Sequence, residues 1–226
     1  MSYLDAQFIE NIPKNDIEII FEVGSRDLLD ARNLFRYFHV NNPKIYAFEC
    51  NPDCLVECMK NRENFDREEQ DHIFLVENAV SLTNDQISFY PFDLSKHDNM
   101  GASSMFVHKE DGIQKQISVN GIRLDTFMET NNIQNIDLLC MDLQGYELNA
   151  LKSLGTNISR VKYIITECAI NSAYKGGVEF IELYDYLSKF NFKYVSSNAF
   201  GHHFPDTTIK RFCEFDSLFV NNSNHS

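Results

Sequence analysis

The sequence predicts an α/β fold with a mostly parallel central sheet, helices on both faces and an antiparallel last strand. Three observations predict it. Short β-rich runs alternate with amphipathic runs at helical spacing, the pattern of strands joined by crossover helices. The first run, Ile17 to Val23, is nearly continuously apolar and ends at Gly24, as a strand buried on both faces would. Five runs end in an acid, an amide or a glycine, and open α/β sheets hold their ligands at that carboxyl edge.

In chain order, the strand at 17–23 leads into a helix over Asp27–His39, whose Ala31, Leu34, Phe35 and Phe38 share one face. Lys44 to Phe48 is the second strand and ends at Glu49. Asn51 is placed to cap the next helix, with Pro52 at its first position and Leu55, Val56 and Met59 on its buried side. His72 to Val80 reads as the third strand and Ile87 to Phe92 as an extra one. A polar loop over Ser95–Ser104 follows, then an extended piece at Gln116–Val119 and a short helix from Leu124. Ile136 to Met141 is the fourth core strand, ending at Asp142, with a helix from about Tyr146. Val161 to Thr166 is the fifth, ending at Glu167. A helix over Phe180–Phe190 turns Ile181, Tyr184 and Leu187 to the sheet. Phe192–Ser196 and Cys213–Val220 close the pattern as an antiparallel pair.

At 226 residues the chain has the length of one α/β domain, read as 1–226 with its core at about 17–220. It contains no apolar run near the ~20 residues of a membrane span and no signal-peptide pattern at its start, so a soluble cytoplasmic protein is expected. The net charge of −13, without a Lys/Arg stripe, repels a phosphate backbone, and no direct nucleic-acid partner is expected. No CxxC pair occurs among the six cysteines, and no metal site is assigned.

The chemistry gathers at the strand ends: Glu22 and Gly24, Glu49, Asn78, Asp142 and Glu167. The first loop, Glu22-Val23-Gly24-Ser25-Arg26-Asp27-Leu28, lacks the later glycines of a dinucleotide loop, so a pyrophosphate fits it badly. S-adenosylmethionine carries no phosphate. Glu22 can face its ammonium, and the backbone near Gly24 and Ser25 can donate to its carboxylate. Glu49 stands about 25 residues after Gly24, the spacing at which an acid accepts both ribose hydroxyls of an adenosine.

Phe21-Glu22-Val23-Gly24-Ser25, Ala47-Phe48-Glu49-Cys50-Asn51-Pro52, Glu77-Asn78-Ala79-Val80-Ser81, Gly101-Ala102-Ser103-Ser104, Arg123-Leu124-Asp125-Thr126-Phe127, Ile136 through Glu147 and Asp216-Ser217-Leu218-Phe219-Val220 occur in that order. This ordered set resembles the FkbM family of methyltransferases, from about Glu18 to Val220. The resemblance implies a Rossmann-like class I methyltransferase that binds S-adenosylmethionine and methylates a hydroxyl of a sugar, glycan or other small molecule. It implies that Glu22, Gly24 and Ser25 hold the methionine end and Glu49, with Cys50 beside it, the ribose. Asn78 and Ala79 would lie at the adenine and Asp142 near the transferred methyl. Two departures stand out. Leu28 occupies the place of a second loop glycine, and Cys140 and Gln144 replace a lysine and a glutamate of the family's Lys-Ile-Asp-Val-Glu-Gly pattern.

A sugar hydroxyl is a poor nucleophile at neutral pH, so a general base is expected, worth ~10²–10⁴-fold. Asp142 is the first candidate, Glu167 the second, and His203, beside His202 in the loop before the last strand, the third. Asp142 and Glu167 could instead share a divalent cation. The competing readings are a catalytically silent Rossmann-like binding module, motivated by the departures, and a nicotinamide-dependent reductase.

Overall fold

Along the chain the elements are β1 (Ile19–Val23), α1 (Leu29–Tyr37), β2 (Lys44–Phe48), α2 (Pro52–Arg62), α3 (Arg67–His72), β3 (Ile73–Val76), β4 (Ala79–Val80), β5 (Gln86–Phe89) and β6 (Ile117–Ile122). They continue with α4 (Leu124–Thr130), β7 (Ile136–Met141), α5 (Glu147–Ser153), β8 (Val161–Asn171), α6 (Phe180–Ser188), β9 (Phe192–Ser197) and β10 (Cys213–Asn221). This computed structural model describes residues 3–5, 7–96, 99–110, 112–198 and 213–224. Sequence-predicted His203, with His202, lies outside the described residues.

The main sheet has seven strands in the order β3-β2-β1-β7-β8-β10-β9. β1 pairs in parallel with β2 and β7, and β7 with β8, while β10 runs antiparallel to both β8 and β9. The strand order reverses between β1 and β7, and the crevice at their carboxyl ends is where such sheets bind ligands. Alternation along β1 divides the core. Ile20 packs on one face with Leu34 and Phe35 of α1, and Phe21 and Val23 pack on the other with residues of α4, α5 and α6. A second sheet of three strands, β4-β6-β5, adjoins the first.

Several sequence expectations are corrected. The third strand is two pieces: Asn78 lies between β3, in the main sheet, and β4, in the small one. β8 runs on four residues past Glu167, because β10 pairs with it there. On α2 the buried side is Cys54 and Cys58, while Val56 and Met59 are exposed; Cys58 belongs to the core cluster of Leu28 and Phe35, and Cys54 lines the cavity described below. On α6, Leu183 and Leu187 face inward, whereas Ile181 and Tyr184 are exposed.

Leu28 explains how the loop tolerates the loss of a glycine. It caps α1 in the left-handed region, at φ 66°, with its side chain fully buried in the core cluster of Ile20 and Leu34. The conformation costs roughly 1–2 kcal/mol. Burial of a leucine contributes roughly 1.5–3 kcal/mol and offsets it.

Candidate functional site

A cavity of about 410 Å³ opens at the carboxyl edge of β1, β2 and β7, a size suited to a small ligand. Its floor is the first loop, Gly24 to Arg26. One side is Phe48 to Asn51 with Asn78 to Val80, and the other is Asp142 to Gln144 with Glu167 and Asp216. The segment 99–105 lines it from above and is tied down on both sides. Asn51 Nδ2 donates to Ser103 Oγ at 3.2 Å, Ser104 Oγ donates to the Gln144 carbonyl at 2.9 Å, and the Tyr174 hydroxyl reaches the Ala102 carbonyl.

Gly24 is dictated by packing. Its φ is +91°, and a Cβ there would lie 2.0 Å from the backbone oxygen of Asp142. The close approach is therefore to the end of β7. The loop amides are also spoken for. The N–H groups of Gly24 and Ser25 both donate to the Phe48 carbonyl, those of Asp27 and Leu28 to the Ser25 carbonyl, and that of Leu29 to Asp27 Oδ1. The Arg26 N–H donates to Glu49 Oε2 at 2.8 Å. The amides near Gly24 thus hold the loop together and are not free to meet a carboxylate.

Glu49 is buried and held by three backbone donors. Oε1 accepts from Cys50 and Asn51, at 2.8 and 2.7 Å, and Oε2 from Arg26. A carboxylate has about four acceptor positions, so roughly one remains for a ligand hydroxyl where the spacing argument allotted two. Burial pushes its carboxyl up, and the three amides oppose this. Glu22 lies behind the lining, fully buried, with Ser25 Oγ donating to its Oε2 at 2.5 Å. Burial pushes Glu22 well above the usual carboxylate range.

Asp142 and Glu167 stand on neighbouring strands, one step beyond the last β7–β8 rung, Met141 with Thr166. Glu167 in turn pairs across to Asp216 of β10. Gln144 Nε2 bridges the first two, donating to Asp142 Oδ1 at 2.8 Å and to Glu167 Oε2 at 2.9 Å. Burial raises Glu167 well above the carboxylate range, reinforced by Asp142, Glu214, Glu147 and Asp216. Burial and the nearby Asp142 push Asp216 up to about 7. Glu147, which accepts the N–H groups of Leu143 and Gly145, is pushed by burial up to about 7. Among the described residues no group of three His, Cys, Asp or Glu side chains is arranged to hold a metal ion.

The lining carries six acids, Asp30, Glu49, Asp142, Glu167, Glu214 and Asp216, against one described basic residue, Arg26. Such a basin favours a cation. Two raised carboxyls, Asp216 in the lining and Glu147 outside it, fix a pH dependence. Glu147 and Asp216 titrate near 7 folded and near 4 unfolded, so between those values the native state holds the extra protons. Stability therefore falls as pH rises, by up to about 1.4 kcal/mol per pH unit for each group. The expected thermal midpoint is highest near pH 5 and lower at pH 7.5; a midpoint that is flat or rises over that interval contradicts this.

Of the residues predicted from sequence, Gly24, Ser25, Glu49, Cys50, Asn78, Ala79, Asp142 and Glu167 line one cavity, and Glu22 does not. Sequence reasoning missed Tyr3, Arg26, Gln144, Asn198 and Asp216 in the lining, and Tyr174 behind it. Arg26 had one legible signal, its place in the first loop.

The profile of the methyltransferase FkbM domain matches residues 22–194. The 2-O-methyltransferase NoeI of Sinorhizobium fredii (strain NBRC 101917 / NGR234) is 26% identical over 195 residues, 81% of this chain and 76% of that protein. Among solved structures, the methyltransferase FkbM of Methylobacillus flagellatus KT superposes with a TM-score of 0.59 at 14% identity, over 97% of this chain and 48% of that one. The chain thus spans about half the length of that protein. Streptococcus pneumoniae Sp1610, solved in complex with S-adenosyl-L-methionine, superposes with a TM-score of 0.52 at 11% identity, over 98% of this chain and 73% of that one. With its strand order, antiparallel β10 and carboxyl-edge cavity, the chain has the Rossmann-like class I fold and belongs to the FkbM family of methyltransferases.

Proposed function

We propose that the protein uses S-adenosylmethionine to methylate a hydroxyl of a sugar or glycan. The observation that carries the reading is the cavity itself, with a fixed carboxylate, Glu49, on one side and the Asp142–Glu167 pair on the other. The donor set fits the cofactor's charges. Six acids suit a ligand with a sulfonium and an ammonium, and Glu49 has room for one ribose hydroxyl. With the amides of residues 24–29 engaged, no cradle of free N–H groups is left for a pyrophosphate, which disfavours a nicotinamide dinucleotide.

When bound, the cofactor supplies an activated methyl group on sulfur. The protein's residues then have to align an acceptor oxygen and take its proton. Asp142 Oδ2 and Glu167 Oε1 have no protein partner among the described residues, and both side chains line the cavity. They can accept from acceptor hydroxyls, with Asp142 as the base. A hydroxyl acceptor is supported by the likeness to a 2-O-methyltransferase, and the acidic basin disfavours polyanions. Transfer of labelled methyl from S-adenosylmethionine to a panel of methyl glycosides and oligosaccharides tests this. Label in a sugar ether is the expected result; label found only in peptide or nucleic acid would overturn the sugar reading.

Arg26 takes the role first given to the loop amides. It is half exposed, paired with Asp27 at 3.0 Å, and held at φ 56°, a strained setting for a non-glycine residue. Facing the cavity, its guanidinium can meet the methionine carboxylate. Arg26→Gln is expected to weaken S-adenosylmethionine binding about tenfold, ~1.4 kcal/mol, while leaving decarboxylated S-adenosylmethionine unaffected. Equal losses for both ligands, read by calorimetry, would remove Arg26 from that role.

A further inference from the structure

Gln144 is fixed at every polar atom of its side chain. Nε2 has two hydrogens and two carboxylates to receive them, Asp142 Oδ1 at 2.8 Å and Glu167 Oε2 at 2.9 Å. Oε1 lies 2.9 Å from the Tyr174 hydroxyl, whose single hydrogen is shared between it and the Ala102 carbonyl. Its backbone is constrained as well. The carbonyl accepts from Ser104 Oγ at 2.9 Å, and φ is +55°, in the left-handed region. A non-glycine residue held there costs of order 1–3 kcal/mol and persists where its surroundings over-determine it. Tyr174 is itself almost fully buried, so the anchor does not wander.

We propose that Gln144 is a positioning residue, anchored by Tyr174, that clamps Asp142 and Glu167 as an oriented pair. This rests on the methyltransferase reading of the cavity only for its purpose; the clamp is a matter of hydrogen bonding and charge. Two carboxylates on adjacent strands repel, and Glu147, Glu214 and Asp216 face Glu167 with the same sign. Donation to the ionised form favours it, so one carboxamide that donates to both offsets the repulsion. It also commits one oxygen of each carboxylate, leaving Asp142 Oδ2 and Glu167 Oε1 toward the acceptor. A glutamate at this position, the residue usual in the family's pattern, would instead add a third carboxylate between the two.

The test compares thermal unfolding of the whole chain against pH for wild type, Gln144→Leu, Gln144→Glu and Tyr174→Phe. Gln144→Leu keeps the bulk and removes the donors. Its midpoint deficit relative to wild type should at least double between about pH 5, where protonation relieves the repulsion, and about pH 8. The Gln144→Glu deficit should grow more steeply, and that of Tyr174→Phe in the same direction but less. Deficits that stay constant with pH in both Gln144 variants would reduce the residue to packing and overturn the proposal. If Gln144→Leu does not fold, Gln144→Glu and Tyr174→Phe decide by the same criterion. In parallel, the acid-side midpoint of S-adenosylmethionine affinity should move up by about one pH unit in Gln144→Leu; an unmoved midpoint counts against the clamp. Failure of the wild type to bind would count against the methyltransferase reading and leave the unfolding comparison to decide the clamp.

Discussion

Gly24→Ala is expected to lower the thermal midpoint by roughly 10 °C and to abolish cofactor binding. Two costs add. An alanine at φ +91° is strained by roughly 1–2 kcal/mol. Its Cβ would also sit 2.0 Å from the Asp142 carbonyl oxygen, a backbone atom that cannot swing aside. The Asp142 N–H donates to the Val23 carbonyl at 3.0 Å, and the Gly24 N–H to the Phe48 carbonyl at 3.0 Å. Relief of the clash therefore has to part β1 from β7 or β2, at a further cost of roughly 1–3 kcal/mol or more. For a chain of this length each kcal/mol moves the midpoint by roughly 2–4 °C. The same displacement carries Asp142 away from the floor of the cavity, so binding is lost with stability. A Gly24→Ala protein with wild-type midpoint and affinity, by scanning fluorimetry and calorimetry, would mean that β1 and β7 do not approach in this way.

Asp142→Asn is expected to act in the opposite way, with the fold kept and turnover lost. Asparagine retains the Oδ1 acceptor that Gln144 Nε2 uses. Its amide nitrogen replaces Oδ2, which has no partner among the described residues, so the exchange leaves no buried group unpaired. What disappears is the group that can take a proton from an acceptor hydroxyl, and the expected fall in turnover is ~10²–10⁴-fold. S-adenosylmethionine affinity should fall far less than turnover. Unchanged turnover would remove Asp142 from the role of base.

The parts of the fold that were legible in the sequence are those that local chemistry decides. β2 and β7 match their predicted bounds, because mostly apolar runs there end at Glu49-Cys50-Asn51-Pro52 and at Asp142. The Asn51 cap is also as read, its side chain accepting from the Asp53 N–H. Helix α3 was missed because it has no apolar period. A capping box between Asp66 and Glu69 starts it, and Arg32 and Arg36 of α1 hold buried Glu69 at 2.9 and 2.6 Å. Those partners are more than thirty residues away. The end of β8 was likewise set by β10, a strand read only as the mate of β9.

The site divides along the same line. Strand-end logic finds Glu49, Asp142 and Glu167, since a carboxyl edge is a sequence-readable place. It cannot tell how much of each carboxylate the protein consumes. Three amides on Glu49 and the hydroxyl on Glu22 are visible only once the loop is folded. Gln144 stood out in the sequence as a departure from the family pattern. The structure gives it a geometry that depends on Tyr174, thirty residues later, and on Ala102, far earlier in the chain.

Calorimetric titration of the wild-type protein with S-adenosylmethionine, its demethylated product and NAD tests the central claim most directly. The expected result is saturable binding of the first two and none of NAD. Proton release should accompany the sulfonium ligand, because a cation in the acid-lined cavity favours ionised Glu167 and Asp216. Saturable NAD binding, or no binding of either adenosyl ligand, would contradict the account.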